Sequence, residues 1–358
     1  MSNDDKKKLI KVIILKKKIA VLFLAFILGL SACGKEQTGK KDNADITEYS
    51  KNLFAMDTYM ELKAYGKDSE EAVEKAAEYI EKLDDMLSTG DENSEISILN
   101  RQREETVSDE CRELIEKALE ISKDTQGAFN PAIYPVMQLW GFDTKEFRVP
   151  EKNEIDKVLS VIDTEQIIVK QNEISLKKEG MKIDLGGIAK GYTSGKVMEI
   201  FREYGIESGL VSLGGNVQAL GTKTDGSDWK VAVQHPDDSE QYLGILEINN
   251  KAVITSGGYE RYFVEDGKTY HHIIDPATGY PADSGLKSVT IVSEDGTLAD
   301  GLSTSIFIMG KDKGIEYWKN SSKNFDMILC TTDDELYVTS GISDDFSSDY
   351  EVEKIEKE

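Results

Sequence analysis

Hydrophobic positions along the chain change their spacing near its middle. Over DSEEAVEKAAEYIEKLDDMLS, Val73, Ala76, Ile80, Leu83 and Leu87 recur at steps of three and four, which predicts an amphipathic helix across 68–88. A second helix is predicted over 109–126, stopped by Gly127, because glycine accepts the backbone turn that ends a helix. Between them Ser94-Glu-Ile-Ser97 reads as a short capped turn. From Thr164 onward QIIVK, EISLK and MKIDL alternate apolar and polar residues, as antiparallel strands do. A helix over 188–204 follows, then strands around LVSL, WKVAVQ, LGILEI and SVTIV, helices over 298–309 and 314–318, and a hairpin in ILCTTDDELYVTS. Hairpins interspersed with helices, without regular alternation, predict an α+β fold of mixed, mainly antiparallel sheets with packed helices.

The N-terminus breaks this pattern. Seven lysines within residues 1–18 precede the apolar run IAVLFLAFILGL and then Leu30-Ser31-Ala32-Cys33. The run is short for a bilayer span but suits the core of a signal peptide behind a basic flank. The four residues ending at Cys33 resemble the lipobox of bacterial lipoproteins, in which the cysteine becomes the lipidated N-terminus. The expectation is a signal peptide over 1–32, lipidation at Cys33, a flexible tether over 33–50, a domain over 51–342 and a frayed acidic tail over 343–358. This organisation implies lipid anchoring at the extracytoplasmic face of the cell membrane. A short membrane anchor with an incidental cysteine is the alternative.

Composition narrows the partners. A chain of 358 residues with 39% hydrophobic content can bury a large core. Its formal charge of −24 argues against nucleic acid, whose binding draws on a basic surface. Cys111 and Cys330 sit in unrelated contexts and indicate no metal cluster, while one bridge between them stays open.

Three stretches carry candidate chemistry. In IDLGGIAKGYTSGK (183–196) the GK ending suggests a phosphate loop, but three residues separate Gly191 from Gly195 where four are needed, and Val197 replaces the hydroxyl. What remains is a glycine pair, Gly186-Gly187, at a helix start, fit either to cradle phosphate or to pack closely. Lys190 is a cation for phosphates or a surface lysine. In TLADGLST, Asp300 and Thr304 share a helix face with Ser303 adjacent, a hard-oxygen set suited to Mg²⁺; Thr297-x-x-Asp300 also matches a capping box. In KTYHHIIDPATGYP, adjacent strand residues face opposite sides, so one of His271 and His272 at most enters a given site. Trp140-Gly-Phe142 is a wall for a planar ligand or ordinary core.

Taken in order, AMDTYM (55–60), SEISILN (94–100), GAFNPAIYPVMQLWGF (127–142), IDLGGIAKGY (183–192), SLGGNVQALG (212–221), WKVAVQHP (229–236), VITSGGYERYF (253–263), HHIIDPATGYP (271–281) and ADGLSTSIFIMG (299–310) resemble the ApbE-type flavin transferase family. The resemblance implies a two-lobed fold and Mg²⁺-dependent transfer of FMN from FAD to a threonine or serine hydroxyl of an acceptor flavoprotein, with AMP released. It implies Mg²⁺ held by Asp300, Ser303, Thr304 and a backbone oxygen near Gly187. Asp184 and Lys190 would contact FAD, Met56, Phe129, Asn130 and Ile274 would line the flavin or adenine pocket, and His272 would be the general base, with His271 spare. Three departures stand out: Asp57 where glycine is usual, Asn130 for aspartate, and Gly90 for a tyrosine. The last points to FAD hydrolysis to FMN and AMP as an alternative; a non-catalytic flavin-binding lipoprotein is another.

Overall fold

The computed structural model describes residues 47–357, which cluster as one unit. The expected signal peptide, Cys33 and nearly all of the expected tether lie outside the described residues. In chain order come strands β1 (Glu48–Ala55) and β2 (Thr58–Tyr65), helices α1 (Ser69–Leu87) and α2 (Glu95–Gln102), strand β3 (Glu104–Thr106), and helices α3 (Asp109–Asp124), α4 (Tyr134–Trp140) and α5 (Lys152–Leu159). Strands β4 (Ile167–Lys170) and β5 (Glu173–Leu176) lead to helix α6 (Gly186–Glu203). Strands β6 (Ser208–Leu213), β7 (Asn216–Leu220), β8 (Trp229–Gln234), β9 (Tyr242–Ile248), β10 (Ala252–Gly257), β11 (Tyr262–Glu265), β12 (Lys268–His271) and β13 (Leu286–Ser293) follow. The chain ends with helices α7 (Gly296–Met309) and α8 (Lys311–Asn320) and strands β14 (Asp326–Thr331), β15 (Leu336–Thr339), β16 (Phe346–Ser347) and β17 (Val352–Ile355).

The main sheet has nine strands in the order β1-β2-β6-β7-β10-β13-β14-β15-β17, all paired antiparallel except β15 with β17. Three small sheets surround it, so the α+β expectation holds. Helices α6 and α7 pack against each other and against this sheet. Helix α7 is apolar or small nearly all round, as a buried helix requires, whereas α6 keeps an exposed face with Glu199, Arg202 and Glu203. One core cluster joins α1–α6 with β4 and β5 around Trp140, Phe142, Ile183 and Ile188. Others fill the faces of the main sheet. Trp140 and Phe142 are thus core, and the Trp140 indole donates to the Gly279 carbonyl at 2.8 Å. Cys111 and Cys330 are free and buried in separate clusters, which closes the question of a bridge between them.

Three expectations need correction. MKIDL is not a strand: the Ile183 amide and carbonyl are both taken by the Asn100 side chain, at 2.6 and 2.8 Å, and the Asp184 amide by Pro131. A side chain serves this backbone in place of a neighbouring strand. The acidic tail is not frayed. Phe346 pairs with Leu246 in β9, and Ile355, 7% exposed, anchors β17 beside β15. The sheet also begins at Glu48, paired with Tyr65, so residues 48–50 belong to it and not to the tether.

Candidate active site

The centre of the site is the crossing of α6 and α7. A Cβ built on Gly191 would lie 2.1 Å from the Gly296 carbonyl oxygen and 2.7 Å from the Asp300 Cβ, so only glycine at 191 lets the two helices approach this closely. The approach brings the Gly191 amide within 2.8 Å of Asp300 Oδ2. In a regular helix that amide serves the carbonyl four residues earlier, which is Gly187. The amide's bond to Asp300 sets the carboxylate against the first turns of α6.

Asp300 is 6% exposed. Its other oxygen accepts from Asn216 Nδ2 at 3.2 Å. Burial pushes its carboxyl up to about 6, opposed by the charge of Lys190 and by the bonds from Gly191 and Asn216. The capping-box reading fails: Asp295 is the N-cap, accepting from the Leu298 amide at 3.1 Å, and Asp300 lies more than a turn inside the helix. Next to it, Ser303 and Thr304 share hydrogen bonds of 2.7 and 3.3 Å with the Ser256 hydroxyl at the end of β10. Among the described residues no three His, Cys, Asp or Glu side chains converge on a cation position. A cation here would rest on one carboxylate, hydroxyls and a backbone carbonyl.

The two histidines separate as strand alternation requires. His271 faces inward, its Nε2 against the Ala282 carbonyl at 3.1 Å and its ring edge-on to Phe307. His272 Nδ1 lies 3.1 Å from the Arg261 carbonyl. A carbonyl only accepts, so Nδ1 carries the proton and Nε2 keeps its lone pair. Desolvation first, then the charge of Arg261, pushes His272 down to about 3; Lys190 contributes to the same lowering. Lys190 thus acts electrostatically on both Asp300 and His272. It also lowers Glu260, whose carboxyl is nevertheless raised by desolvation and by Asp300. Asp184 is raised chiefly by desolvation, opposed by the Gly186 amide bond at 2.6 Å and by Arg261.

The remaining predicted residues divide. Met56 touches α6 through a 3.7 Å contact between its sulfur and the Thr193 hydroxyl. It occupies the two-residue turn between β1 and β2 with Asp57, at φ 49° and 59°. Asp57 therefore takes the left-handed conformation that glycine adopts freely. Phe129 and Ile274 lie in the core, 5% and 4% exposed, with the Phe129 ring pressed on Gly187. Asn130 caps the short turn at 131–133, accepting from the Ala132 amide at 2.8 Å, and donates to the Ile162 carbonyl at 2.9 Å. Lys196, the end of the apparent phosphate loop, instead pairs with Glu113 and Glu199. Asn216, Ser256, Glu260 and Arg261 had no role assigned from sequence. All four lie inside the matched stretches SLGGNVQALG and VITSGGYERYF, but nothing in their local spacing marks them.

The ApbE family model matches residues 56–329. A FAD:protein FMN transferase of Klebsiella pneumoniae is 33% identical over 303 residues, covering 83% of this chain and 93% of that one. One from Treponema pallidum is 29% identical over 350 residues, covering 91% and 94%. Among solved structures, the ApbE protein of Thermotoga maritima superposes with a TM-score of 0.78 at 32% identity, covering 82% of this chain and 98% of that one. The flavin transferase ApbE of Vibrio cholerae gives 0.73 at 28%, with the same coverage. With the model spanning the crossing of α6 and α7, the histidine strand and most of the main sheet, this chain belongs to the ApbE family.

Proposed function

We propose that the protein is an FAD:protein FMN transferase, which moves FMN from FAD to a serine or threonine hydroxyl of an acceptor flavoprotein and releases AMP. The observation that carries the reading is the bond from the Gly191 amide to the buried Asp300 carboxylate. Asp300 stands on the same helix as Ser303 and Thr304, whose hydroxyls meet that of Ser256. Asp300 is met only by neutral donors, and its raised titration point marks a charge that lacks a contacting cation. This donor set fits Mg²⁺, with Gly187, Asp300, Ser303 and Thr304 as the holding residues. The ion would neutralise charge that develops on the pyrophosphate as its bridge breaks.

The chain's own groups account for the rest. Lys190 and the amide at Gly187 would receive phosphate oxygens, and Asp184, which holds the Gly186 amide, and Met56 would border the FAD. His272 Nε2, with its lone pair free, accepts the proton of the acceptor hydroxyl. The hydroxyl oxygen then bonds to the FMN phosphorus as the bond to the AMP oxygen breaks. Desolvation leads the lowering of His272, and an anionic pyrophosphate beside Lys190 and Arg261 would offset the share that their charges add.

Incubating the protein with FAD, Mg²⁺ and a co-expressed acceptor should give a protein band with flavin fluorescence and a mass gain equal to FMN. Gly90, exposed and without a side chain, favours a second reading, FAD hydrolysis, because no aromatic ring there helps hold the flavin. FMN and AMP released without any adduct would select hydrolysis over transfer. The basic flank, apolar run and Cys33 support a lipoprotein anchored at the extracytoplasmic face of the cell membrane; labelled palmitate retained by wild type and lost in Cys33→Ser tests it.

A further inference from the structure

Strand β7 carries polar side chains where a central strand ordinarily carries apolar ones. Asn216 and Gln218 are 3% and 4% exposed and, two residues apart, point to the same face. Gln218 accepts from the Ser194 hydroxyl at 2.6 Å, whereas Asn216 donates to Asp300. The position of Asn216 is fixed from outside the site. It pairs with Leu213 across a two-glycine turn in which Gly214 and Gly215 have φ of 63° and 96°. A Cβ on Gly214 would lie 2.2 Å from the Thr58 hydroxyl, and its amide bonds to the Tyr59 carbonyl. The turn is thereby seated on β2.

We propose that Asn216 is a positioning residue that aims the Asp300 carboxylate at the cation. The inference rests on the Mg²⁺ reading above. Asp300 needs a donor on each oxygen to be held in one orientation, and Gly191 supplies only one of them. A lysine or arginine in place of Asn216 would fix the carboxylate equally well but cancel the charge that attracts the metal. A neutral amide fixes the orientation and leaves the full negative charge for the ion. Gln218, on the same strand and face, meets Ser194 at the same crossing but does not touch Asp300, and is the internal control for a purely structural role.

The test is Mn²⁺ titration of the mature protein, followed by electron paramagnetic resonance, with thermal melts in parallel. Asn216→Ala should weaken Mn²⁺ binding by about tenfold or more, the usual effect of removing a group that orients a metal ligand. Gln218→Ala should lower the melting temperature and leave Mn²⁺ affinity at the wild-type value. If Asn216→Ala does not fold, Asn216→Ser, too short to reach Asp300, should show the same weakening. Wild-type affinity retained in the folded Asn216 variants, or equal weakening in Gln218→Ala, would overturn the assignment alone. Absence of Mn²⁺ binding by the wild type would overturn the metal reading and this assignment together.

Discussion

Asp300→Asn isolates the charge at the crossing of α6 and α7. The carboxyl titrates at about 6 instead of its ordinary 3.8. At about 1.4 kcal/mol per pK unit, ionising it inside the metal-free fold costs about 3 kcal/mol at pH 7. The sign follows from the raised value. Between pH 4 and 6 the folded state keeps a proton that the unfolded chain has released, so stability falls as pH rises through that window and levels off above it. Asparagine has nearly the same shape, still accepts from Gly191 and can pair amide to amide with Asn216, but has no charge to bury. Urea unfolding in EDTA should therefore give wild type and variant equal stabilities near pH 4. By pH 7 the variant should be the more stable by about 3 kcal/mol. Saturating Mg²⁺ should stabilise only the wild type, by about 2.7 kcal/mol at a hundredfold excess over Kd, and FMN transfer should vanish in the variant. Parallel pH curves for the two proteins in EDTA, or an equal response to Mg²⁺, would refute the assignment of Asp300 as a buried, metal-seeking carboxylate.

Other perturbations address single roles. His272→Ala should slow transfer by about a hundredfold or more, the scale of general-base catalysis, while FAD affinity measured by flavin fluorescence stays near wild type; an unchanged rate removes His272 as the base. In wild type without substrate, Mg²⁺ affinity should weaken as pH falls through about 6, because protonating Asp300 opposes the ion; an affinity flat from pH 7 to pH 5 would contradict the raised carboxyl. Asp57→Gly should raise stability by about 0.5–1 kcal/mol by relieving a left-handed turn, and a loss on urea unfolding would contradict the turn geometry. Asn130→Asp should cost about 1–3 kcal/mol by setting a carboxylate against the Ile162 carbonyl, so a thermal melt unchanged from wild type would release Asn130 from this structural duty.

What the sequence disclosed depended on the distance over which each feature is determined. The helices α1, α3, α6 and α7 were legible because their apolar spacing or their glycine stops are local, and the β14–β15 hairpin was legible for the same reason. MKIDL alternates like a strand, yet Asn100, 83 residues away, takes the backbone bonds that a neighbouring strand would have made. The tail looked frayed because its average composition is acidic. Two apolar anchors, Phe346 and Ile355, are enough to hold it, and an average conceals them. The same contrast governs the site. Asp300, Ser303 and Thr304 lie within one turn and a half of a single helix, so helical spacing alone places them on one face. The glycine segment is the intermediate case: its composition raised both phosphate binding and tight packing, and the structure shows the packing. Gly191 is required by the approach of Gly296 and Gly187 by the Phe129 ring, while Gly186, at the first position of the helix, gives its amide to Asp184. Asn216 lies 84 residues before Asp300 on another element, and an asparagine after two glycines reads simply as turn chemistry. That the turn is also what fixes an amide against a buried carboxylate depends on four segments meeting: β2 beneath the turn, β7 leading from it, and α6 and α7 crossing above. The proposed metal-holding side chains of α7 can thus be found by local spacing, but a residue proposed to aim them, as Asn216 is, has its place fixed by topology.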